Sequence, residues 1–213
     1  MKYPDISIVI CNYNYGNYIT RAIRSCLSQR NVNFEVIVVD DCSTDDSIDK
    51  ILAFGNDVRL IRNKKNMGVA ESSNIGLNAA KGRFVIRVDS DDFVNKDMCY
   101  FLITYLESNM DAFCVSCDYW LVDDNENKIE RKYAKIDNVS CGILYRKDQL
   151  INLGGYNTKM RHREEEELRK RLGTEYKVHN LEIPFYRYRM HQNNKTKTNE
   201  YKKVVSAEAS QLL

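Results

Sequence analysis

Phe84-Val85-Ile86-Arg87-Val88-Asp89-Ser90-Asp91-Asp92 is an apolar, β-branched run that ends abruptly in acid. A strand of this composition belongs inside a sheet, and carboxylates at its end lie on the carboxyl edge, where open α/β sheets bind ligands. Carboxylates crowded this closely repel one another, and a hard divalent cation is the partner that relieves them. Asp is also a good N-cap and turn former, so the same residues read alternatively as a solvated turn capping a helix that starts near Asn95.

A second acidic strand end stands upstream. Phe34-Glu35-Val36-Ile37-Val38-Val39 runs into Asp40-Asp41, and Ser43 and Thr44 then offer N-caps to a helix carrying Ile48, Ile51 and Leu52 inward. Ile6 to Ile10 is a third strand, ending in Cys11-Asn12-Tyr13-Asn14, and Ile19, Ala22, Ile23, Cys26 and Leu27 follow at helical spacing. Val58 to Ile61 is a fourth strand, followed by Asn66-Met67-Gly68 and a helix from about Val69 to Ala80. The first 90 residues therefore read as successive βα steps of a parallel sheet.

These motifs resemble the inverting family 2 glycosyltransferases of the GT-A fold. The resemblance rests on Ile10-Cys11-Asn12-Tyr13-Asn14, on Val38 to Asp45, on Asn66 to Gly76 and on Asp89-Ser90-Asp91-Asp92, in that order. Farther along, Gly154-Gly155-Tyr156 is similar to the family's Gly-Gly-Tyr turn and Glu164 to Leu172 to its Glu-Asp-x-x-Leu helix. The expectation is a single α/β GT-A domain built on a mixed, mainly parallel sheet flanked by helices. Residues 1–91 would form a nucleotide-sugar-binding half, residues 92–192 an acceptor half, and residues 193–213 a helical tail. Cys141 to Arg146 is expected to be the strand flooring the acceptor side.

The resemblance implies a role for each motif. Asn12, Tyr13 and Asp41, with Asp40 beside it, would contact the nucleobase; ordinary strand-end packing for Tyr13 and helix capping for Asp40 are the competing readings. The family often carries Arg-Asn in the helix after strand three, and here the pair is Ser73-Asn74, which keeps Asn74 as a donor contact and removes a cation. Asp89 would lie near the ribose and Asp91 on a divalent ion, Mn²⁺ or Mg²⁺, which both suit oxygen ligands. Asp92 would cap the next helix or hold the loop. His191 would be a second metal ligand or a phosphate donor, and Arg189 would neutralise the leaving diphosphate.

The family's catalytic base falls on Glu165. Here the family's Glu-Asp is Glu164-Glu165, which leaves the register open among Glu164, Glu165 and Glu166. Leu168 and Leu172 define the buried stripe of that helix, and Glu164 and Glu165 stand four and three residues before Leu168, near the stripe. Acids in a first helical turn also favour the helix dipole without any catalytic role.

A net charge of +2 gives no footprint for nucleic acid. No apolar stretch approaches the roughly 20 residues that span a bilayer, and no signal-peptide core precedes the first strand. Seven cysteines, an odd number, sit mostly within apolar patterns and suit a reducing compartment. Cys114-Val115-Ser116-Cys117 lacks the second pair a zinc site needs. The expectation is a cytoplasmic enzyme taking a UDP-sugar first and a thymidine-linked one second, with a glycan or lipid-linked acceptor. Arg187, Arg189, Lys195, Lys197, Lys202 and Lys203 would allow contact with a diphosphate or with the inner membrane face. The alternatives are a catalytically silent sugar-nucleotide-binding protein and a nucleotidyltransferase; the single Gly and absent Lys in Cys11 to Tyr18 count against the second.

Overall fold

The computed structural model describes residues 3–137, 139–160, 163–173, 176–192 and 194. Four parallel strands come first: β1 (Ile6–Asn12), β2 (Phe34–Asp40), β3 (Arg59–Arg62) and β4 (Phe84–Asp89) lie in the order β3-β2-β1-β4. They are tied by α1 (Gly16–Leu27), α2 (Ser47–Leu52) and α3 (Val69–Ala79). The register sets Asn12 opposite Asp40 and Cys11 opposite Asp89, so all the expected strand-end groups emerge on one edge.

Alternation on the strands divides the apolar side chains between two layers. Ile8, Ile10, Val36, Val38, Ile86 and Val88 pack with α1 residues Ile19, Ile23 and Cys26 on one face. Val9, Ile37, Val39 and Val85 pack with Ala70 and Leu77 of α3 on the other. Each such side chain, fully buried, contributes about 1.5–3 kcal/mol of hydrophobic stabilisation. Gly76 is required here, because a Cβ at that position would fall 2.3 Å from a methyl of Val9.

Beyond β4 the sheet becomes mixed. The short β5 (Phe93–Val94) and α4 (Met98–Ser108) lead into β6 (Ala112–Val122), and β7 (Lys128–Lys132) folds back on β6 as a hairpin. β8 (Leu144–Arg146) joins β4 to β6 with antiparallel pairing on both sides, and α5 (Lys147–Asn152) follows it. α6 (Glu164–Leu172) then precedes β9 (Lys177–Arg189), which runs parallel to β6 and pairs with β5. One continuous sheet thus joins the two expected halves, giving the single-domain GT-A architecture.

Two local expectations are corrected. The helix after β2 begins at Ser47 rather than at Ser43 or Thr44, and Leu52 stays exposed while Ile51 is buried. Successive helical residues point about 100° apart, so the face that buries Ile51 turns Leu52 outward, and Ser43 is occupied elsewhere. The flooring strand is only Leu144–Arg146, because Gly142 adopts a left-handed φ of 70°, at a place where a Cβ would fall 2.6 Å from the Tyr186 ring. Among the described residues no helix is long and apolar enough to cross a membrane. The expected tail helix and Lys195, Lys197, Lys202 and Lys203 fall outside them.

Candidate active site

The carboxyl ends of β1, β2 and β4 open onto a cleft of about 910 Å³, part of it open to solvent. Asn12, Tyr13, Asp41, Val69 and Ser72 line one end. Asp89, Ser90 and Asp91 line the cleft too, with Arg87, Arg163, Glu164, Tyr15 and Tyr188, and Arg87 Nη1 reaches to 3.3 Å from Ser73 Oγ on α3. Apolar and aromatic surface interrupted by a few fixed polar groups is the usual make-up of a small-molecule site.

At the first end the polar groups are held from behind. Asp40 is fully buried and accepts hydrogen bonds from Asn12 Nδ2 at 2.9 Å, the Ser43 hydroxyl at 2.6 Å and the Ser43 amide at 3.0 Å. It fixes Asn12 and the turn after β2, which is why Ser43 is not a helix cap. Asn12 Oδ1 is buried with no partner, an arrangement that costs free energy unless a donor reaches it. Asp41 lies on the cleft wall and accepts from Asn63 Nδ2 at 2.8 Å, the Met67 amide at 2.8 Å and the Gly68 amide at 2.7 Å. These bonds pin the chain leading into α3, where Gly68 needs its φ of 88°.

Asn74 is placed elsewhere. Its Oδ1 accepts the Tyr156 amide at 2.9 Å and its Nδ2 donates to the Tyr156 carbonyl at 2.7 Å. Both ends of the amide are spent on the Gly-Gly-Tyr turn, and Asn74 is not among the residues lining the cleft. The neighbouring Cys11 thiol, 3.5 Å from Ser73 Oγ, has its pKa pushed up to about 11 by burial against the opposing charge of Arg87. It is therefore a poor nucleophile at neutral pH.

The acidic loop divides its labour. Burial raises the pKa of Asp89 above the ordinary carboxylate range, and the Arg87 guanidinium 3.3 Å away opposes that rise. Asp91 Oδ2 stands 3.0 Å from His191 Nε2, and the His191 ring meets Tyr15 edge-on and lies 4.6 Å from Tyr18. That contact is a hydrogen bond, but about 3 Å is also the spacing of adjacent ligands on a six-coordinate ion with bonds near 2.1 Å, so Asp91 on the cleft wall, with the buried His191 behind it, is compatible with a divalent cation. Asp92 is the structural member. It accepts from the Tyr186 hydroxyl at 2.8 Å, the Arg189 amide at 2.8 Å and the Cys141 thiol at 3.7 Å.

Asp89, Asp92 and Cys141 place ligand atoms within 4.8 Å of one another. That group fits a hard cation poorly, because Asp92 is already satisfied and burial raises the Cys141 thiol well above its ordinary pKa. Arg189 is also structural in this structure. Its guanidinium donates to the Asp91 carbonyl at 2.9 Å and the Asp124 carbonyl at 3.1 Å, and pairs with Glu126 at 3.3 Å. It buttresses the acidic loop and is not among the residues on the cleft wall.

The first turn of α6 supplies two buried acids of different character. Glu164 lines the cleft and accepts from Arg87 Nη1 at 2.8 Å. Glu165 lies one step deeper, where the Tyr145 hydroxyl donates to its Oε1 at 2.6 Å and Arg169 Nε stands 3.4 Å away. Burial raises the Glu165 pKa, and its Oε2 is shielded with no hydrogen-bond partner. Arg163, which precedes the helix in a left-handed conformation with φ of 57°, pairs with Glu166. Glu166 is exposed and turned from the cleft.

Several residues of the site escaped the sequence reading. Arg87 is the clearest: a lone charge inside an otherwise apolar strand was the available signal. Tyr145 and Tyr186 gave none, because their partners lie 20 and 94 residues away.

A sheet whose parallel strands lead into Asn12, Asp41 and an Asp-Ser-Asp-Asp loop, backed by an acidic helix, defines a GT-A fold. The description "Glycosyl transferase family 2" matches residues 7–197, and the chain belongs to that family. The succinoglycan biosynthesis protein ExoO of Rhizobium meliloti is 43% identical over 97 residues, which are 45% of this chain and 28% of that protein. Glycosyltransferase GlyG of Streptococcus pneumoniae is 35% identical over 124 residues, 57% of this chain and 41% of GlyG. The chain thus spans less than half the length of these relatives.

Solved structures agree on the fold. S. aureus TarS 1–349 in complex with UDP-GlcNAc superposes with a TM-score of 0.78 at 20% identity, covering 98% of this chain and 66% of that one. The mannosyltransferase PcManGT of Pyrobaculum calidifontis, in complex with GDP-Man and Mn²⁺, gives 0.75 at 16% identity, covering 99% and 65%.

Proposed function

We propose that the chain transfers a sugar, with inversion, from a nucleoside diphosphate sugar, UDP-linked by preference, to a hydroxyl of a glycan or lipid-linked glycan. The observation that carries this reading is the convergence on one cleft of a base-sized polar end, Asn12, Tyr13 and Asp41, with the Asp89-Ser90-Asp91 loop and Glu164 of α6, behind which Glu165 lies. Asn12 Oδ1, buried without a partner, is suited to accept the imide N–H of a uracil. Asp89 faces the ribose. Asp91 and His191 would hold Mn²⁺ or Mg²⁺, which when bound neutralises the diphosphate and eases its departure.

Glu165 is the proposed general base. Tyr145 orients one of its oxygens, the other has an unused lone pair, and the raised pKa gives it the proton affinity that a carboxylate paired to arginine lacks. Glu165 Oε2 takes the proton of the acceptor hydroxyl as that oxygen bonds to the anomeric carbon. The bond from the anomeric carbon to the β-phosphate oxygen breaks, and its electron pair leaves with the nucleoside diphosphate. Because Oε2 is shielded from the cleft here, the acceptor must displace the first turn of α6 on entering. Glu164, on the wall itself and paired to Arg87, faces the donor sugar.

Release of UDP from UDP-sugars in the presence of Mn²⁺ tests the reading. Steady turnover with at least one UDP-sugar is expected. Tight UDP binding with no turnover, even with an oligosaccharide acceptor panel, would instead identify a silent binder. The proposed location is the cytoplasm, and any membrane contact would be peripheral.

A further inference from the structure

We propose that the cleft selects donors carrying a neutral sugar, a hexose or N-acetylhexosamine, and rejects those carrying a uronic acid. This rests on the nucleotide-sugar reading above. What decides the selection is the charge of the cleft lining around Arg87. The residues that line the cleft include the acids Asp41, Asp89, Asp91 and Glu164, and two arginines, Arg87 and Arg163.

Both arginines are already committed to carboxylates. Arg87 is 4% exposed and lies between Glu164 at 2.8 Å and Asp89 at 3.3 Å, while Arg163 is paired with Glu166. Burial works against the Arg87 charge, yet Asp89 and Glu164 together hold its pKa well above the usual value. One guanidinium answering two carboxylates leaves the wall with a surplus of hydrogen-bond acceptors. Sugar hydroxyls are donors and satisfy such a surplus. A uronate brings another carboxylate against Glu164, and among the described residues no uncommitted cation lines the wall to receive it. Like charges set side by side in a desolvated site are a strong means of rejection.

Calorimetric titration of the full chain with UDP, UDP-glucose, UDP-N-acetylglucosamine and UDP-glucuronate, each with Mn²⁺, tests this. At least one neutral donor should bind as tightly as UDP, and UDP-glucuronate should bind about tenfold or more weakly than UDP. Glu164→Gln frees Arg87 from one acid and should narrow that gap. UDP-glucuronate binding as well as UDP overturns the inference, and so does a gap that Glu164→Gln leaves unchanged. The wild-type comparison stands without the variant. Failure to bind UDP itself, by contrast, removes the donor reading and this inference with it.

Discussion

Glu165 carries the sharpest residue-level consequences. Glu165→Gln keeps the shape and removes the proposed proton acceptor, so turnover should fall by about 10² to 10⁴ while the UDP dissociation constant stays within a few-fold. Glu164→Gln should instead weaken donor binding. Initial rates and calorimetry on the two variants separate the roles, and full activity of Glu165→Gln would remove it as the base. Its pKa adds a second test. The carboxylate must be ionised to act, so the acid limb of kcat/KM should lie above the ordinary carboxylate range.

Stability moves the opposite way for the same residue. With the folded pKa raised above the ordinary 4.5, the folded chain binds more protons than the unfolded one between the two values. Glu165 therefore contributes fully below the unfolded pKa and loses that contribution as pH rises through the raised folded value. Urea midpoints of the wild type relative to Glu165→Gln should decline across that window. A constant difference from pH 4 to pH 9 would contradict the burial effect.

At the scale of elements, the acidic loop is held by β9 rather than by its own helix. Tyr186 does this with one hydroxyl, donating to Asp92 at 2.8 Å and accepting the Asp89 amide at 3.1 Å. Tyr186→Phe should cost about 1–3 kcal/mol, because it strands a buried carboxylate and a backbone amide together. Denaturant unfolding checks this, and a change below a few tenths of a kcal/mol would show that the loop is held otherwise. α3 and β1 give a second case: Gly76→Ala should destabilise by about 1–3 kcal/mol, since the added methyl would sit 2.3 Å from Val9.

The same scale shows what the sequence could and could not reveal. The four parallel strands, α3 and α6 were legible because alternation and helical spacing are local, and Leu168 and Leu172 are buried as that spacing requires. The cleft's polar ends were legible because strand-end residues in a parallel sheet share one edge. The partners of Asn74 and Arg189 were not. Asn74 clasps Tyr156, 82 residues on, and Arg189 clamps the Asp91 carbonyl, 98 residues back, so only the closed fold commits their donors. Glu164 and Glu165 are adjacent in sequence, yet one pairs with Arg87 on the cleft wall and the other with Tyr145 behind it, a division set by α6 packing on β8 and β4.

On the scale of the whole molecule, the proposed function requires the carboxyl edge of the sheet to bind a nucleoside diphosphate with the help of a metal. A ligand at 100 times its dissociation constant adds about 2.7 kcal/mol to stability, so UDP with Mn²⁺ should raise the melting temperature visibly. The most direct measurement is calorimetric titration of UDP into the wild-type chain with Mn²⁺, after chelation, and into Asp91→Ala with Mn²⁺. Saturable binding is expected in the first case and its loss in the other two, with circular dichroism showing Asp91→Ala folded. Equal UDP affinity with and without the metal, or undiminished affinity in Asp91→Ala, would contradict the proposed function.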